Sequence, residues 1–562
     1  MTKDRGSGGE DCGPAGSEGE GQQPRLPQMQ DQSSKGSVEG SSSWAINTII
    51  KEGKLPISFY MYILLLFAGC FILLPQFDGI KATLARTPRV EAQNFTTTKV
   101  ISPNTTTKVI SPNTTKIPLI NCPSANLTTQ TCTTNPPLIL GDEYGHDLVS
   151  STKTETCPDY FRWIHEDLKP WKAEGITREA IDAGKGLATF RLVVLKGRVY
   201  VETYQKSYQT RDVFTIWGIV QLIRVYPGKI PDLDLLFECG DFPVVDKARY
   251  GVGSAPLIPP LFHYCGDDGS FDIPFPDWSF WGWYEINIKP WEALLEDLKE
   301  GNRRIKWAER VPYAFWKGNI RMGRRPTLLR CNSTQDWGAQ IFAQRWAVET
   351  RRGFRQSNLA DQCTHRYKIY FEGRAWSVSE KYIQACDSML LMVRPRFYEF
   401  FTRSLVPLKH YWPINPWRLC DSIKFAVGWG NNNTYKAQEI GKEGSKFILE
   451  ELKLQNIYDY MFHLLSEYAK LLKYKPTVPA GATEVCLESM VCNSRGKEKQ
   501  WKIDSMAKGP SQTGPCAMPP PYDPTQLEKF LSLKEDVIGR VDKWVASGGI
   551  GKLDFITSNS SN

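Results

Sequence analysis

The 562-residue chain contains no G-x-S-x-G, no P-loop and no H-E-x-x-H. Their absence removes the serine-hydrolase elbow, the Walker phosphate cradle and the zinc-peptidase helix, each of which needs fixed residues at fixed spacing. Fourteen cysteines include no Cys-x-x-Cys and no Cys/His metal spacing. No Lys/Arg run marks a nucleic-acid surface. The net charge of +8 is spread along the chain and suits an anionic small substrate equally well. From Met1 to about Asn47 apolar residues are almost missing, and Gly, Ser, Gln and Glu dominate. Such a segment cannot build a core, so residues 1–50 read as a disordered cytoplasmic tail.

Leu55–Pro75 lacks charge altogether. Its 21 apolar-rich residues match the length needed to cross a bilayer. It starts too far from the terminus for a cleaved signal peptide and reads as a signal anchor. Asn94, Asn104, Asn113, Asn126, Asn332, Asn432 and Asn559 head N-x-S/T triplets, and all follow the span. Glycosylation at these sites places the C-terminal side in the lumen of the Golgi or endoplasmic reticulum, a single-pass type II arrangement. Setting aside Cys12 and Cys70 leaves twelve cysteines, an even number that fits a disulfide-permissive lumen. Residues 76–150 form a Thr/Pro-rich stem in which TKVISPNTT occurs twice in tandem, at Thr98–Thr106 and Thr107–Thr115.

The globular part begins near Cys157. Its β- and α-type patterns alternate over more than 300 residues, which predicts an α/β protein of two doubly wound, Rossmann-type domains facing a cleft. The boundaries fall at residues 151–300 and 301–480, with an extension over 481–562. Phe190–Leu195 and Arg198–Thr203 form a hairpin around Lys196-Gly197. Leu233–Cys239 and Met389–Val393 are buried strands. Ile457–Tyr474 is an amphipathic helix.

Three polar sites fall at strand ends. In YKIYFEGRAWSVSEKYIQACDSMLLMV, Tyr367–Phe371 is a strand, Gly373 a turn, and Ser377-Val378-Ser379-Glu380 a capping box opening a helix to about Ser388. Free amides and the helix dipole there suit a phosphate. Asp241 follows the strand in DLLFECGDFPVV, positioned by Gly240 and Pro243 as a general base for an acceptor hydroxyl. Lys317-Gly318-Asn319 follows Val311–Trp316, with Arg321, Arg324 and Arg325 close behind. Lys317 and the helix amides would neutralise a diphosphate leaving group. Trp278, Ser279, Phe280 and Trp281 lie in an aromatic, proline-rich loop, DIPFPDWSFWGW. Such a loop is either a platform for a sugar ring or domain-interface packing. Asp232-x-Asp234 opens a strand, the wrong end for a catalytic metal, and reads as surface acid. A glycosidase would need two facing carboxylates, and only Asp241 is well placed.

CPDYFRWIHEDL, DLLFECGDFPVV, FPDWSFWGW, AFWKGN and FEGRAWSVSEKYIQACDSMLL occur in one order between Cys157 and Tyr474. In this the chain resembles the protein O-glucosyltransferase family that includes Rumi and the fungal capsule-associated proteins, glycosyltransferase family 90, and most of all its membrane-anchored plant branch. The resemblance implies a GT-B fold and an inverting, metal-independent transfer from UDP-glucose or UDP-xylose to a glycoprotein or polysaccharide acceptor. It implies Asp241 as the catalytic aspartate and Arg374, Ala375, Trp376, Ser377, Val378 and Ser379 as the nucleotide-sugar loop, with Lys317 and Gly318 beside it. Lys317 stands where animal members carry an arginine, keeping the charge but losing the bidentate fork. Ser379 also replaces an arginine. The alternative is a non-catalytic, sugar-binding membrane protein on the same fold.

Overall fold

Two adjacent residues at positive φ, Lys196 at 52° and Gly197 at 73°, close a two-residue turn between Phe190–Leu195 (β1) and Arg198–Thr203 (β2). Both central residues of a type I′ hairpin need that region, and its twist matches the strands it joins. The computed structural model describes Ile120, Cys122, Cys132, and residues 155–250 and 257–549. The predicted tail, the Leu55–Pro75 span, the tandem repeat, and Asn94, Asn104, Asn113, Asn126 and Asn559 lie outside the described residues. Among those described, no helix is long and apolar enough to cross a membrane.

The hairpin belongs to a six-stranded sheet, ordered β11-β2-β1-β3-β4-β5. Its other members are Leu233–Phe237 (β3), Leu261–His263 (β4), Ile273–Pro274 (β5) and Thr483–Val485 (β11). β3, β4 and β5 run parallel, while β11, β2, β1 and β3 pair antiparallel. This half is therefore a mixed sheet, not the fully parallel winding expected of a doubly wound domain. The antiparallel portion follows from the short hairpin, since a parallel neighbour needs a long crossover.

The second sheet consists of Val311–Gly318 (β6), Ala339–Ala343 (β7), His365–Tyr370 (β8), Met389–Val393 (β9) and Trp412–Ile414 (β10). It is wholly parallel, in the order β10-β9-β8-β6-β7. Counted along the chain this is a 2-1-3-4-5 winding, whose topological switch point lies between β6 and β8. Every residue of β9 is buried, as a parallel strand covered on both faces requires.

Helix Leu454–Lys470 does not stay with the second sheet, which precedes it in the chain. It returns to the first core, where the Tyr468 hydroxyl donates to the Asp234 carbonyl at 2.9 Å and its ring meets Phe262 at 5.0 Å. The extension crosses back with it, adding β11 to the edge of β2.

One more expectation changes. Asp234 is not a surface acid. It is fully buried, and Arg191 donates to both its oxygens, at 2.7 and 2.5 Å. Asp232 accepts from the Lys196 amide at 2.7 Å, pinning the hairpin turn. The twelve downstream cysteines do not all pair: five disulfides join Cys122–Cys492, Cys132–Cys486, Cys157–Cys516, Cys331–Cys420 and Cys363–Cys386. Cys239 and Cys265 remain free and buried, at the ends of β3 and β4, where burial pushes both thiols up and keeps them neutral.

Candidate active site

β3 is buried at all five positions and runs out into Glu238-Cys239-Gly240-Asp241. Gly240 is held by its amide, which donates to the Glu238 carboxylate at 2.8 Å. A Cβ on Gly240 would lie 2.6 Å from that same oxygen, so a side chain there would have to displace the Glu238 carboxylate. Asp241 thus leaves the strand end in one direction, with its side chain 29% exposed. Arg211 donates to Oδ1 at 3.0 Å and also to the Cys239 carbonyl at 3.1 Å. Downstream, the buried Asp272 carboxylate accepts from the Val244 and Val245 amides at 2.8–3.0 Å, fixing the chain beyond Pro243. Burial pushes Asp272 up to about 7, against the pull of those amides.

Across from it, the second sheet presents the loop after β8. Arg374 is 59% exposed, and its Nε approaches Asp241 Oδ2 at 3.8 Å. Its guanidinium also lies over the Phe242 ring at 5.5 Å. Two residues 133 positions apart in the chain, each picked out by its motif, therefore meet across the sheet ends. Gly266 and Tyr398 hold the same seam by exchanging backbone hydrogen bonds of 3.0 Å.

The capping box does not form. The helix after β8 spans only Ser379–Gln384, its N-cap position is Val378, and no side chain caps it. The Ser377 hydroxyl is occupied elsewhere, accepting from Arg325 at 2.9 Å and pairing with the Ser379 hydroxyl at 2.8 Å. Glu380 turns inward and accepts from Thr402 at 3.2 Å. Burial holds its carboxyl above the usual range. What remains of the expected phosphate site is a pair of partly exposed hydroxyls on a short loop, flanked by Arg374.

That loop sits at the switch point between β6 and β8. Arg325, one of three arginines after β6, is buried and bridges the two strand ends: it donates to the Phe371 and Glu372 carbonyls at 3.0 and 2.9 Å as well as to Ser377. Its burial lowers its pKa to about 10, still charged at neutral pH. Gly323 adopts φ +52°, and a Cβ there would lie 1.9 Å from the Gly373 carbonyl. Only glycine permits the two loops to touch backbone to backbone. Lys317 falls inside β6, not beyond its end; its ammonium donates to the Gln356 carbonyl. Gly318 ends the strand, its carbonyl accepting from Gln344 at 2.7 Å. Ala375, Trp376 and Val378 are buried, and the Trp376 ring packs against Tyr264 at 5.7 Å and His263 at 6.0 Å.

The aromatic loop is core, not platform. Trp278, Ser279, Phe280 and Trp281 are each at most 1% exposed, so no ring face is open to a sugar. The Trp281 ring lies on Gly218, where a Cβ would come within 2.4 Å of it. The Tyr382 hydroxyl donates to Ser279. One residue before the aromatics, Asp277 caps their turn through the Ser279 amide at 2.8 Å and accepts from the Lys381 ammonium, with both side chains fully buried. Glu399 lies 3.9 Å from the same ammonium. Burial drives the Glu399 carboxyl well above its usual range, and the neighbouring Asp277 and Glu380 carboxyls push the same way against the pull of Lys381. The Asp277–Lys381 pair locks the aromatic loop of the first half to the helix after β8.

Arg211, Arg325 and Lys381 are thus the residues that motif reasoning left without roles. Arg325 was visible as part of a basic cluster; nothing local marked the other two. Asn332 and Asn432 are exposed, and Asn332 Oδ1 accepts from the Ile341 amide at 2.8 Å. Among the described residues, the gathering of metal-ligating types is Cys157, His463 and Cys516, whose two thiols are consumed in a disulfide.

A carboxylate at one sheet end thus faces a guanidinium- and hydroxyl-bearing loop at the end of the other. Residues 152–545 match the model of glycosyl transferase family 90, and the chain belongs to that family. Among characterised relatives it is similar to protein O-glucosyltransferase 1 of Bos taurus, 27% identical over 348 residues that cover 58% of this chain and 84% of the relative. The human protein of that name is 26% identical over 353 residues, covering 59% and 85%. O-glucosyltransferase rumi of Drosophila melanogaster is 25% identical over 342 residues, covering 58% and 80%.

Proposed function

We propose that the chain is an inverting transferase of GT-B type that moves glucose or xylose from a UDP-sugar to a hydroxyl of a protein or polysaccharide acceptor. The observation that carries this is the approach of Arg374 to Asp241 at 3.8 Å, which sets a base and a nucleotide-sugar loop against each other at facing sheet ends. The diphosphate belongs at the switch point between β6 and β8, beside Ser377, Ser379, Arg374 and Lys317. The names of the relatives favour glucose and a protein acceptor. Incubating the purified globular region with UDP-glucose and UDP-xylose, with and without acceptor, tests the reading by UDP release. Binding of UDP-sugars with no transfer to any acceptor would favour the non-catalytic, sugar-binding alternative.

Lys317→Ala is expected to weaken UDP binding by about 1.5–3 kcal/mol, the range for a hydrogen bond to a charged group. Titration calorimetry reads this directly, and an unchanged Kd would remove Lys317 from the donor site. The leaving diphosphate is neutralised by these cations without a metal ion, so EDTA should leave turnover intact. Activity lost in EDTA and restored by manganese would overturn that.

The globular part lies in the lumen of the Golgi or endoplasmic reticulum, anchored by Leu55–Pro75 as a type II protein. Disulfides, which persist in oxidising compartments, support that side. Protease added to sealed microsomes should spare the C-terminal part; digestion from the cytosolic side would reverse the topology.

A further inference from the structure

Arg211 is a cation at a place that disfavours one. It is the first residue of helix Arg211–Val225, where the helix dipole repels positive charge. It is also 7% exposed, so its guanidinium has left most of its water. Neither cost is offset by the helix itself. The compensation comes from the end of β3: one nitrogen, Nη1, donates at once to the Cys239 carbonyl and to Asp241 Oδ1, at 3.1 and 3.0 Å. The guanidinium plane is held from the sides by the Trp278 ring at 4.5 Å and the Tyr208 ring at 5.2 Å. The Tyr264 hydroxyl donates to the Arg211 carbonyl at 3.3 Å, tying its backbone to β4. Arg211 therefore bonds both to the backbone two residues before Asp241 and to the Asp241 side chain. That pair of contacts fixes the side-chain torsion of Asp241 relative to the strand that carries it.

We infer that Arg211 is the positioning residue that aims the Asp241 carboxylate, reserving Oδ1 for itself and leaving Oδ2 toward the cleft for the acceptor hydroxyl. This rests on the reading of Asp241 as the base. Arg374 is not equivalent: it is exposed, approaches Oδ2 at a distance longer than a hydrogen bond, and is free to turn to a donor. The aromatic loop also acquires a purpose here, since the Trp278 ring lies over the Arg211 guanidinium and forms one wall of its slot.

The test is a double-mutant cycle on turnover, because a residue acting only through Asp241 should have no effect once the carboxylate is gone. Arg211→Gln is expected to lower kcat on the order of 10²-fold, the effect of a small misplacement of a reacting group, while leaving UDP affinity unchanged. In an Asp241→Asn background the same substitution should change kcat no further. Arg211→Lys, which keeps the charge without the planar fork, should restore part of kcat in the first background and none in the second. Should the Gln variant not fold, the Lys variant carries the cycle alone. Equal losses in both backgrounds, or wild-type kcat for the folded Arg211 variant, would overturn the inference. An Asp241→Asn protein that transfers sugar normally would instead remove the base assignment, and this one with it.

Discussion

Replacing Asp241 by asparagine is expected to lower turnover by roughly 10²–10⁴-fold while UDP binding stays near normal. A sugar or protein hydroxyl is a weak nucleophile while protonated, and a carboxylate within reach removes the proton as the bond to the anomeric carbon forms. One attack from the face opposite UDP inverts the centre, so a single carboxylate suffices. Asparagine keeps the size and still accepts the Arg211 hydrogen bond at one atom, so the strand end should hold its shape. Single-turnover kinetics at saturating donor, beside calorimetric UDP binding, separates the chemical step from binding. A folded Asp241→Asn protein that binds UDP and transfers at the wild-type rate would rule the base out.

The second large effect is one of stability. Lys381→Met should cost about 3–5 kcal/mol, because it strands the Asp277 carboxylate in a fully buried site. Adding Asp277→Asn should recover part of the loss by removing the orphaned charge, although Asp277 also caps the Ser279 turn. Urea unfolding of the single and double variants measures both. A Lys381→Met protein within about 1 kcal/mol of the wild type, well short of the cost of an unpaired buried charge, would show that the pair is not what joins the two halves.

What could be read from the chain was whatever is encoded locally. The Lys196-Gly197 turn and the unbroken apolar run of Met389–Val393 each specify their element with neighbours alone, and both strands fall where expected. The place of Asp241 beyond a strand end was legible because a glycine and a proline bracket it. Helix Leu419–Asn432 was not, since Gly428, Gly430 and the asparagines at its end argue against helix; packing overrides propensity there. A Cβ on Gly430 would come within 2.6 Å of the Tyr367 ring, so that glycine serves the contact with β8. The capping box failed for a related reason. Its serine and glutamate are of the right types, but Arg325 and Thr402, brought in by the fold, bind them first. Arg211 and Lys381 find their partners 30 and 104 positions away, a distance over which no sequence pattern speaks.

Cys122, Cys132 and Cys157 bond to Cys492, Cys486 and Cys516, partners 354 to 370 residues further along. Those three N-terminal thiols therefore have no native partner until nearly the whole globular region has been synthesised. Cys331–Cys420 and Cys363–Cys386 close within the second half and can form long before. The native pairing of the three long-range bridges can thus be completed only after both partners of the two local ones are present. A chain halted or trimmed near residue 480 would retain every residue of the candidate active site, yet carry three thiols with no native partner. In an oxidising environment such a fragment would be open to mixed disulfides.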